Sequence, residues 1–421
     1  MGRSLNIQQS KRGFGGKAPE STMLTLDRIY QAAHVLKGGM RRTDIIPYAN
    51  IDSGCELHLK AENLQVTGSF KVRGAYFKIA MLPDEEKKKG VIACSAGNHA
   101  QGVALAAQRM GINATIFIPN IAPLSKVEAT KGFGADVRLV DGVYDDAYQA
   151  AVAYQKQSGA VFIHPFDDVD VIAGQGTIGL EILEQIPDLD AIIVPVGGGG
   201  LISGIAFAVK KLNPNCKIYG VQAAGASSMH DSFANKERTC IEHISTFADG
   251  IAVRSPGEIT YDMCSQYVDN IVTVTDDEIA TAILTLMEQQ KLVAEGAGVV
   301  GVAAVLFDKL PLNGKKACTI VSGGNIDVNI LSRVIRRGLL TTGRLSEFTL
   351  EMLDKPGQLQ EVASIIAGMG ANVTKVLHNP GGENTDIVGC LLHISLETKN
   401  KAHLCEVKKA LQSAGYRIFA D

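Results

Sequence analysis

The sequence predicts an α/β protein in which a parallel sheet is covered by helices on both faces, followed by a βαββαβ ferredoxin-like module. Three observations predict it. From Leu24 to Val321, short apolar runs of strand length alternate with helical patterns. After Arg344 the pattern changes, and Phe348, Leu350 and Met352 alternate as in a half-buried strand. The 421 residues exceed what one ordinary core holds, so two or three domains are expected.

In chain order, a helix is expected over 29–36 and a strand at Glu56–Lys60. The stretch Gly-Ser-Phe-Lys-Val-Arg-Gly at residues 68–74 reads as a loop before an Ala-rich helix ending near Leu82. The charge run Asp84–Lys89 reads as a solvated turn or helix end. Strands then fall at Val91–Cys94, 115–118, 137–140 and 161–164, with helices at Asn98–Arg109, 125–131 and 145–157. Gly111 closes the first of these helices. Further on, helices are expected at 175–185, 201–212, 277–290 and 299–306, and strands at 191–196, 218–222 and 317–321. In such sheets ligands bind beyond the carboxyl ends of the strands, so residues just after strands carry the information. In the C-terminal module, Asp354-Lys355-Pro356-Gly357 forms a turn. Leu359, Val362, Ile366 and Met369 then share a helical face. Strands follow at 373–377 and 388–396, then a helix carrying Leu404, Val407 and Leu411, and a last strand marked by Tyr416 and Ile418.

Composition narrows the function. Hydrophobic residues at 46% and charged residues at 20% describe a soluble globular protein. A formal charge of −3 with no basic stripe argues against a nucleic-acid partner. The eight cysteines are scattered with no CxxC pair, so reduced cytosolic thiols are expected and no zinc motif is signalled. The uncharged stretch over 191–209 approaches membrane-spanning length, but Pro195 and four consecutive glycines make it a strand, a turn and a helix start. No membrane partner is therefore expected. Residues 1–22 are polar and Gly-rich without an apolar h-region. They read as a disordered extension, with an organelle transit peptide as the other reading and Met23 as an alternative start.

Four stretches carry chemistry. Lys71 lies between Phe70 and Val72. A lysine so flanked either snorkels to water or, held among apolar groups, has its charged form disfavoured and becomes a nucleophile or base. Gly197, Gly198, Gly199 and Gly200 follow a strand and open a helix at Leu201, which suits a phosphate; the other reading is a flexible loop. The dinucleotide fingerprint is not matched, because Ile202 and Ser203 stand where its third glycine would fall. Ser95, Ala96, Gly97, Asn98 and His99 follow another strand and open another helix, as a carboxylate site or simply as a capped helix start. Ser322 follows the strand over 317–321, where a hydroxyl either faces a heteroaromatic nitrogen or forms a turn.

Together these stretches resemble the fold type II pyridoxal-phosphate enzymes, and among them the serine/threonine dehydratases. The resemblance is carried by Lys-Ala-Glu-Asn-Leu-Gln-Val-Thr-Gly-Ser-Phe-Lys71-Val-Arg-Gly-Ala, Ser95-Ala-Gly-Asn-His-Ala-Gln-Gly, His164-Pro-Phe-Asp, Gly174-Gln-Gly-Thr, Gly197-Gly-Gly-Gly-Leu, Glu295-Gly-Ala-Gly and Ser322-Gly-Gly-Asn, in family order. It implies two open, mainly parallel sheets, with a catalytic region over 23–340 and a small subdomain of about 62–164 inserted in a larger one. It implies pyridoxal 5'-phosphate as cofactor, with Lys71 as its Schiff-base lysine and Phe70 packed on its ring. Asn98 would bond the ring 3-oxygen, Gly197–Leu201 would cradle the phosphate, and Ser322 would meet the ring nitrogen. Ser95, Ala96, Gly97, Asn98 and His99 would surround the substrate carboxylate.

The implied reaction is deamination of threonine, and of serine, with Lys71 as the base. Related racemases carry a second serine where this chain has Ala96, which favours elimination over racemisation. Where they bind a divalent metal this chain has Gly225, leaving Asp231 as the one candidate ligand and no metal otherwise expected. Residues 346–421 resemble an ACT domain, which implies an amino-acid effector such as isoleucine or valine, or a nucleotide, at paired modules of a dimer or tetramer in the cytoplasm. A racemase or other fold type II enzyme is the rival activity. An amino-acid sensor on an inactive scaffold is the rival class.

Overall fold

The computed structural model describes residues 23–48, 54–380 and 387–419; the extension expected over 1–22 lies outside the described residues. The chain opens with α1 (Leu26–Leu36), capped by Thr25, which accepts the Arg28 N–H at 3.2 Å. β1 (Ile45–Pro47) and β2 (Glu56–Lys60) pair antiparallel. The chain then leaves this sheet for α2 (Lys71–Ala80), α3 (Asp84–Lys89), β3 (Val91–Cys94), α4 (Asn98–Arg109), β4 (Ala114–Pro119), α5 (Leu124–Gly132), β5 (Asp136–Val140), α6 (Tyr144–Ser158) and β6 (Val161–Phe162). It returns through α7 (Val169–Gln185), β7 (Ala191–Pro195), α8 (Gly200–Leu212), β8 (Lys217–Ala223), α9 (Ser228–Asn235), α10 (Glu258–Tyr267), β9 (Asn270–Val274), α11 (Asp276–Gln290), α12 (Gly296–Leu306), β10 (Lys316–Ile320) and α13 (Val328–Thr341).

The strands form two sheets. One is wholly parallel, in the order β5-β4-β3-β6. The other has the order β1-β2-β10-β7-β8-β9 and is parallel except for β1. The split follows from pairing. β2, near the start, lies beside β10, near the end, so everything between Lys71 and Phe162 closes on its own sheet. The central strands β3, β4 and β7 are buried along their whole length, as expected of strands covered on both faces.

Most predicted elements are present. Of the two readings for Asp84–Lys89, the solvated turn is not seen: the run is a short helix of its own, with Lys87–Asp84 and Lys88–Glu85 pairs and no buried residue. Lys71 is the first residue of α2 and not part of the loop before it. β1, α9, α10, β9 and α13 have no counterpart in the sequence reading. Their stretches are short or mixed in polarity, and tertiary packing supplies what periodicity does not.

The C-terminal module comprises β11 (Leu345–Leu353), α14 (Gln358–Gly368), β12 (Asn372–Pro380), β13 (Gly389–Glu397), α15 (Lys401–Ser413) and β14 (Arg417–Phe419). Its antiparallel sheet has the order β12-β13-β11-β14, the predicted ferredoxin-like arrangement. Phe348, Leu350, Val362, Ile366, Leu392, Val407 and Leu411 form its core. Leu359 departs from the predicted helical face and is exposed, in the first turn of α14. Among the described residues no helix is long and apolar enough to cross a membrane.

Candidate active site

Lys71 is placed by backbone stitching between distant loops. Phe70 N–H donates to the Ser322 carbonyl at 3.1 Å, and Gly324 N–H donates to the Gly68 carbonyl at 2.8 Å. An isolated bridge between Ser69 and Gly323 joins the same two segments. Gly68 has φ +71°, and a Cβ there would lie 2.4 Å from Asn325 Oδ1, so this crossing needs glycine. Lys71 is half-buried, with Nζ donating to the Pro165 carbonyl at 3.0 Å and lying 5.4 Å from the Phe70 ring centroid. Surrounding protein atoms disfavour its charge and lower its pKa to about 8, although the Glu295 carboxylate partly opposes the shift.

The helix that starts at Lys71 is anchored two residues later. Arg73 is buried and donates to both oxygens of Glu62, at 2.9 and 2.7 Å, and to both of Glu181, at 2.6 and 3.0 Å. Lys60 Nζ reaches the same Glu181 at 2.6 Å. Two cations and two carboxylates thus form a balanced cluster between β2, α2 and α7. Burial alone would lower the guanidinium pKa, but the two carboxylates outweigh it and hold Arg73 above its ordinary value.

The glycine loop turns from β7 into α8 with Gly199 as N-cap at φ +97° and no side chain capping the helix. The first N–H groups of α8 are therefore left for a ligand, at the positive end of the helix. A Cβ on Gly198 would lie 2.4 Å from the Phe166 ring, and one on Gly200 would lie 2.9 Å from Phe166 backbone and side-chain atoms. Thr260 Oγ1 donates to the Gly198 carbonyl at 2.6 Å and fixes the loop.

The loop before α4 is uncapped in the same way. Gly97 is the N-cap, and neither Ser95 nor Asn98 caps the helix; Ser95 Oγ instead accepts the Gly97 N–H at 3.2 Å. His99 is buried, and its Nε2 donates to the Ile163 carbonyl at 2.8 Å. Burial, with the nearby Lys71 charge, lowers its pKa to about 3, so the ring is neutral. The loop can offer backbone N–H groups to an anion, but His99 cannot supply an imidazolium.

Ser322 is buried, with Oγ 3.4 Å from the Ala297 carbonyl. Beside it, Asn98 Nδ2 donates to Glu295 Oε1 at 2.7 Å, and Asn98 Oδ1 accepts from Asn325 Nδ2 at 2.8 Å. Burial and the neighbouring Asp249 charge raise the Glu295 pKa to about 7, against the opposing pull of Asn98, Lys126 and Lys71.

Lys71, both uncapped loops, Glu295, Asn325 and Ser322 line one cavity of about 820 Å³, which takes in every residue predicted for the cofactor and carboxylate, from Phe70 to Ser322. Asp231 does not line it; its carboxylate is engaged by Ser227 Oγ at 2.8 Å and His230 Nδ1 at 2.9 Å. The mouth is bridged from α5 by a Lys126–Asp249 ion pair and by Ser125 Oγ donating to Asp327 at 3.1 Å. Sequence reasoning gave no role to Glu295, Asn325, Pro165 or Phe166. An acid set in the apolar run Ala294–Val299 was the available signal for Glu295.

Residues 36–323 match the family described as pyridoxal-phosphate dependent enzymes. An L-threonine ammonia-lyase of Thermotoga maritima is 50% identical over 399 residues, covering 94% of this chain and 99% of the relative. Among solved structures, maize serine racemase superposes with a TM-score of 0.71 at 37% identity, covering 75% of this chain and 98% of that one. Threonine deaminase isoform 2 of Solanum lycopersicum gives 0.70 at 37% identity, covering 76% and 96%.

Proposed function

The chain belongs to the pyridoxal-phosphate-dependent enzymes, and from that premise we propose that it deaminates L-threonine to 2-oxobutanoate and ammonia, and L-serine to pyruvate. The observation that carries this reading is the placing of the Lys71 amine in one cavity with the glycine cradle, the uncapped α4 start and Ser322. These residues fit the cofactor. The cradle has no room for a side chain at Gly198 or Gly200, and its free N–H groups are of the kind that hold a phosphate. When bound, pyridoxal phosphate supplies the carbonyl that accepts an amine and the electron sink that lets an α-proton leave.

The chain's own residues supply the rest. The α4 N-terminus holds the substrate carboxylate, and Asn98 would bond the ring 3-oxygen. Lys71, with its pKa lowered to about 8, is readily neutral and takes the α-proton at Nζ. Ser322 offers the ring nitrogen a neutral hydroxyl rather than an acid, so that nitrogen is not protonated by the protein. The β-hydroxyl then departs with a proton as water, the resulting enamine tautomerises to an imine, and hydrolysis with one water releases keto acid and ammonia, so no net water is consumed. The likeness to a serine racemase supports a second reading, but Ala96 puts no hydroxyl where a base on the opposite face would stand.

The C-terminal module is read as an ACT domain that binds isoleucine or valine. Its edge strand β12 leaves Val376 and Leu377 exposed, which supports pairing of modules between two copies of the chain. The catalytic region over 23–340, with a small subdomain at about 62–164, would then answer to residues 346–421. The test is keto-acid formation from threonine by the full chain with no added nucleophile, with and without isoleucine or AMP. Absence of keto acid, or accumulation of D-amino acid instead, would overturn the catalytic reading. A response to AMP and not to isoleucine would replace the effector.

A further inference from the structure

We propose that Glu295 is a positioning residue which, together with Asn325, fixes the way round in which Asn98 presents its amide to the cofactor ring. The inference rests on the cofactor reading above.

The polarity of the network is set by a backbone group. Asn325 Nδ2 donates to the Thr67 carbonyl at 2.8 Å, and a carbonyl can only accept. That makes the atom facing Asn98 a donor, so Asn98 must offer Oδ1 to Asn325, at 2.8 Å. Asn98 Nδ2 is then directed to Glu295 Oε1 at 2.7 Å. Reversing the Asn98 amide would set two donors against each other at one end and two acceptors at the other. Nδ2 carries two hydrogens, and Glu295 takes one, which leaves the second for the ring 3-oxygen.

Glu295 is itself held rigidly. It is buried as the N-cap of α12, its N–H donates to the Gly323 carbonyl at 3.0 Å, and a Cβ on Gly323 would lie 2.4 Å from Oε1. The charged groups facing it are Asp249, Lys126 and Lys71. The buried carboxylate has no hydrogen-bonding task in the proposed reaction other than this one.

The test uses the full chain and measures pyridoxal-phosphate dissociation and the absorbance maximum of bound cofactor, alongside thermal stability. Glu295→Ala should weaken cofactor binding on the order of tenfold and shift the maximum. Glu295→Gln retains an acceptor oxygen and should stay within about twofold of the parent. Asn325→Ala, which releases the other end of the clamp, should act like Glu295→Ala. In an Asn98→Ala background, Glu295→Ala should cost cofactor affinity nothing further. Persistence of the loss in that background, or a Glu295→Gln variant as impaired as Glu295→Ala, would overturn the proposal. If Glu295→Ala fails to fold, Asn325→Ala against Asn98→Ala decides it. Failure of the parent chain to bind pyridoxal phosphate would instead remove the cofactor reading, and is seen before any variant is made.

Discussion

Arg73 and Glu62 meet through two parallel hydrogen bonds, at 2.9 and 2.7 Å, with both side chains shut off from water. Arg73 stands two residues after Lys71, so this pair fixes the first turn of the helix that carries the amine. A pair so buried does not earn its place by Coulomb energy alone, since desolvation offsets much of the gain. Its effect is to make any other placing of α2 leave a bare charge in the protein interior.

Glu62→Gln should therefore destabilise the chain by about 3–5 kcal/mol, the cost of stranding a buried charge. Chemical denaturation at neutral pH measures this. Arg73→Lys should also destabilise, because one ammonium cannot make the forked contacts to Glu62 and Glu181. A loss below about 1 kcal/mol would mean that water reaches the cluster.

Lys71→Met should abolish keto-acid formation while leaving the fold intact. It should also change how stability depends on pH in the cofactor-free chain. The Lys71 pKa falls from its ordinary 10.5 to about 8 in the folded state. Between those values the unfolded chain binds more protons, so the parent gains stability as pH rises through that window. The full gain is about 3 kcal/mol, at about 1.4 kcal/mol per pH unit. Lys71→Met should lack this contribution, and parallel curves for the two proteins would contradict the lowered pKa of the amine.

Gly198→Ala should cost cofactor affinity far more than stability. Its Cβ would fall 2.4 Å from the Phe166 ring, which is already packed edge-on against His164 with centroids 4.8 Å apart. The loop must shift, and the N–H groups at the start of α8 shift with it. Equilibrium dialysis with pyridoxal phosphate should show a loss of at least about tenfold, the effect of one charge-assisted hydrogen bond.

The strand-end loops were legible in the sequence because a parallel sheet places ligand contacts there. Local pattern and family likeness single out Lys71, Asn98, the four glycines and Ser322, and the structure brings them to one cavity. Contacts made across the chain were not legible. Asn98 meets Glu295 at a separation of 197 residues, and Lys60 meets Glu181 at 121, and no periodicity reports such pairs. The charge of the buried Arg73 is likewise balanced by Glu62, which follows β2, and by Glu181 on α7, 108 residues away. For His99 the sequence leaves a packed ring and a functional one equally open, and the ring is packed and bonded to Ile163, with its backbone N–H at the start of α4.

Removal of residues 346–421 should leave catalysis intact and abolish any response to isoleucine. The six-stranded sheet is complete without the module, because β11 pairs only with β13 and β14 and adds no strand to it. The module has its own core in Phe348, Leu350, Ile366, Leu392 and Leu411. What crosses between the two parts includes exposed ion pairs such as Arg336–Glu347 at 2.5 Å, worth little individually. An effector acts only by binding two states of the enzyme unequally, so its leverage needs the module to be attached. Initial rates on threonine across an isoleucine series, for the full chain and the truncated one, measure this directly. Equal sensitivity in both would place the effector site in the catalytic region and strip the module of the role proposed for it.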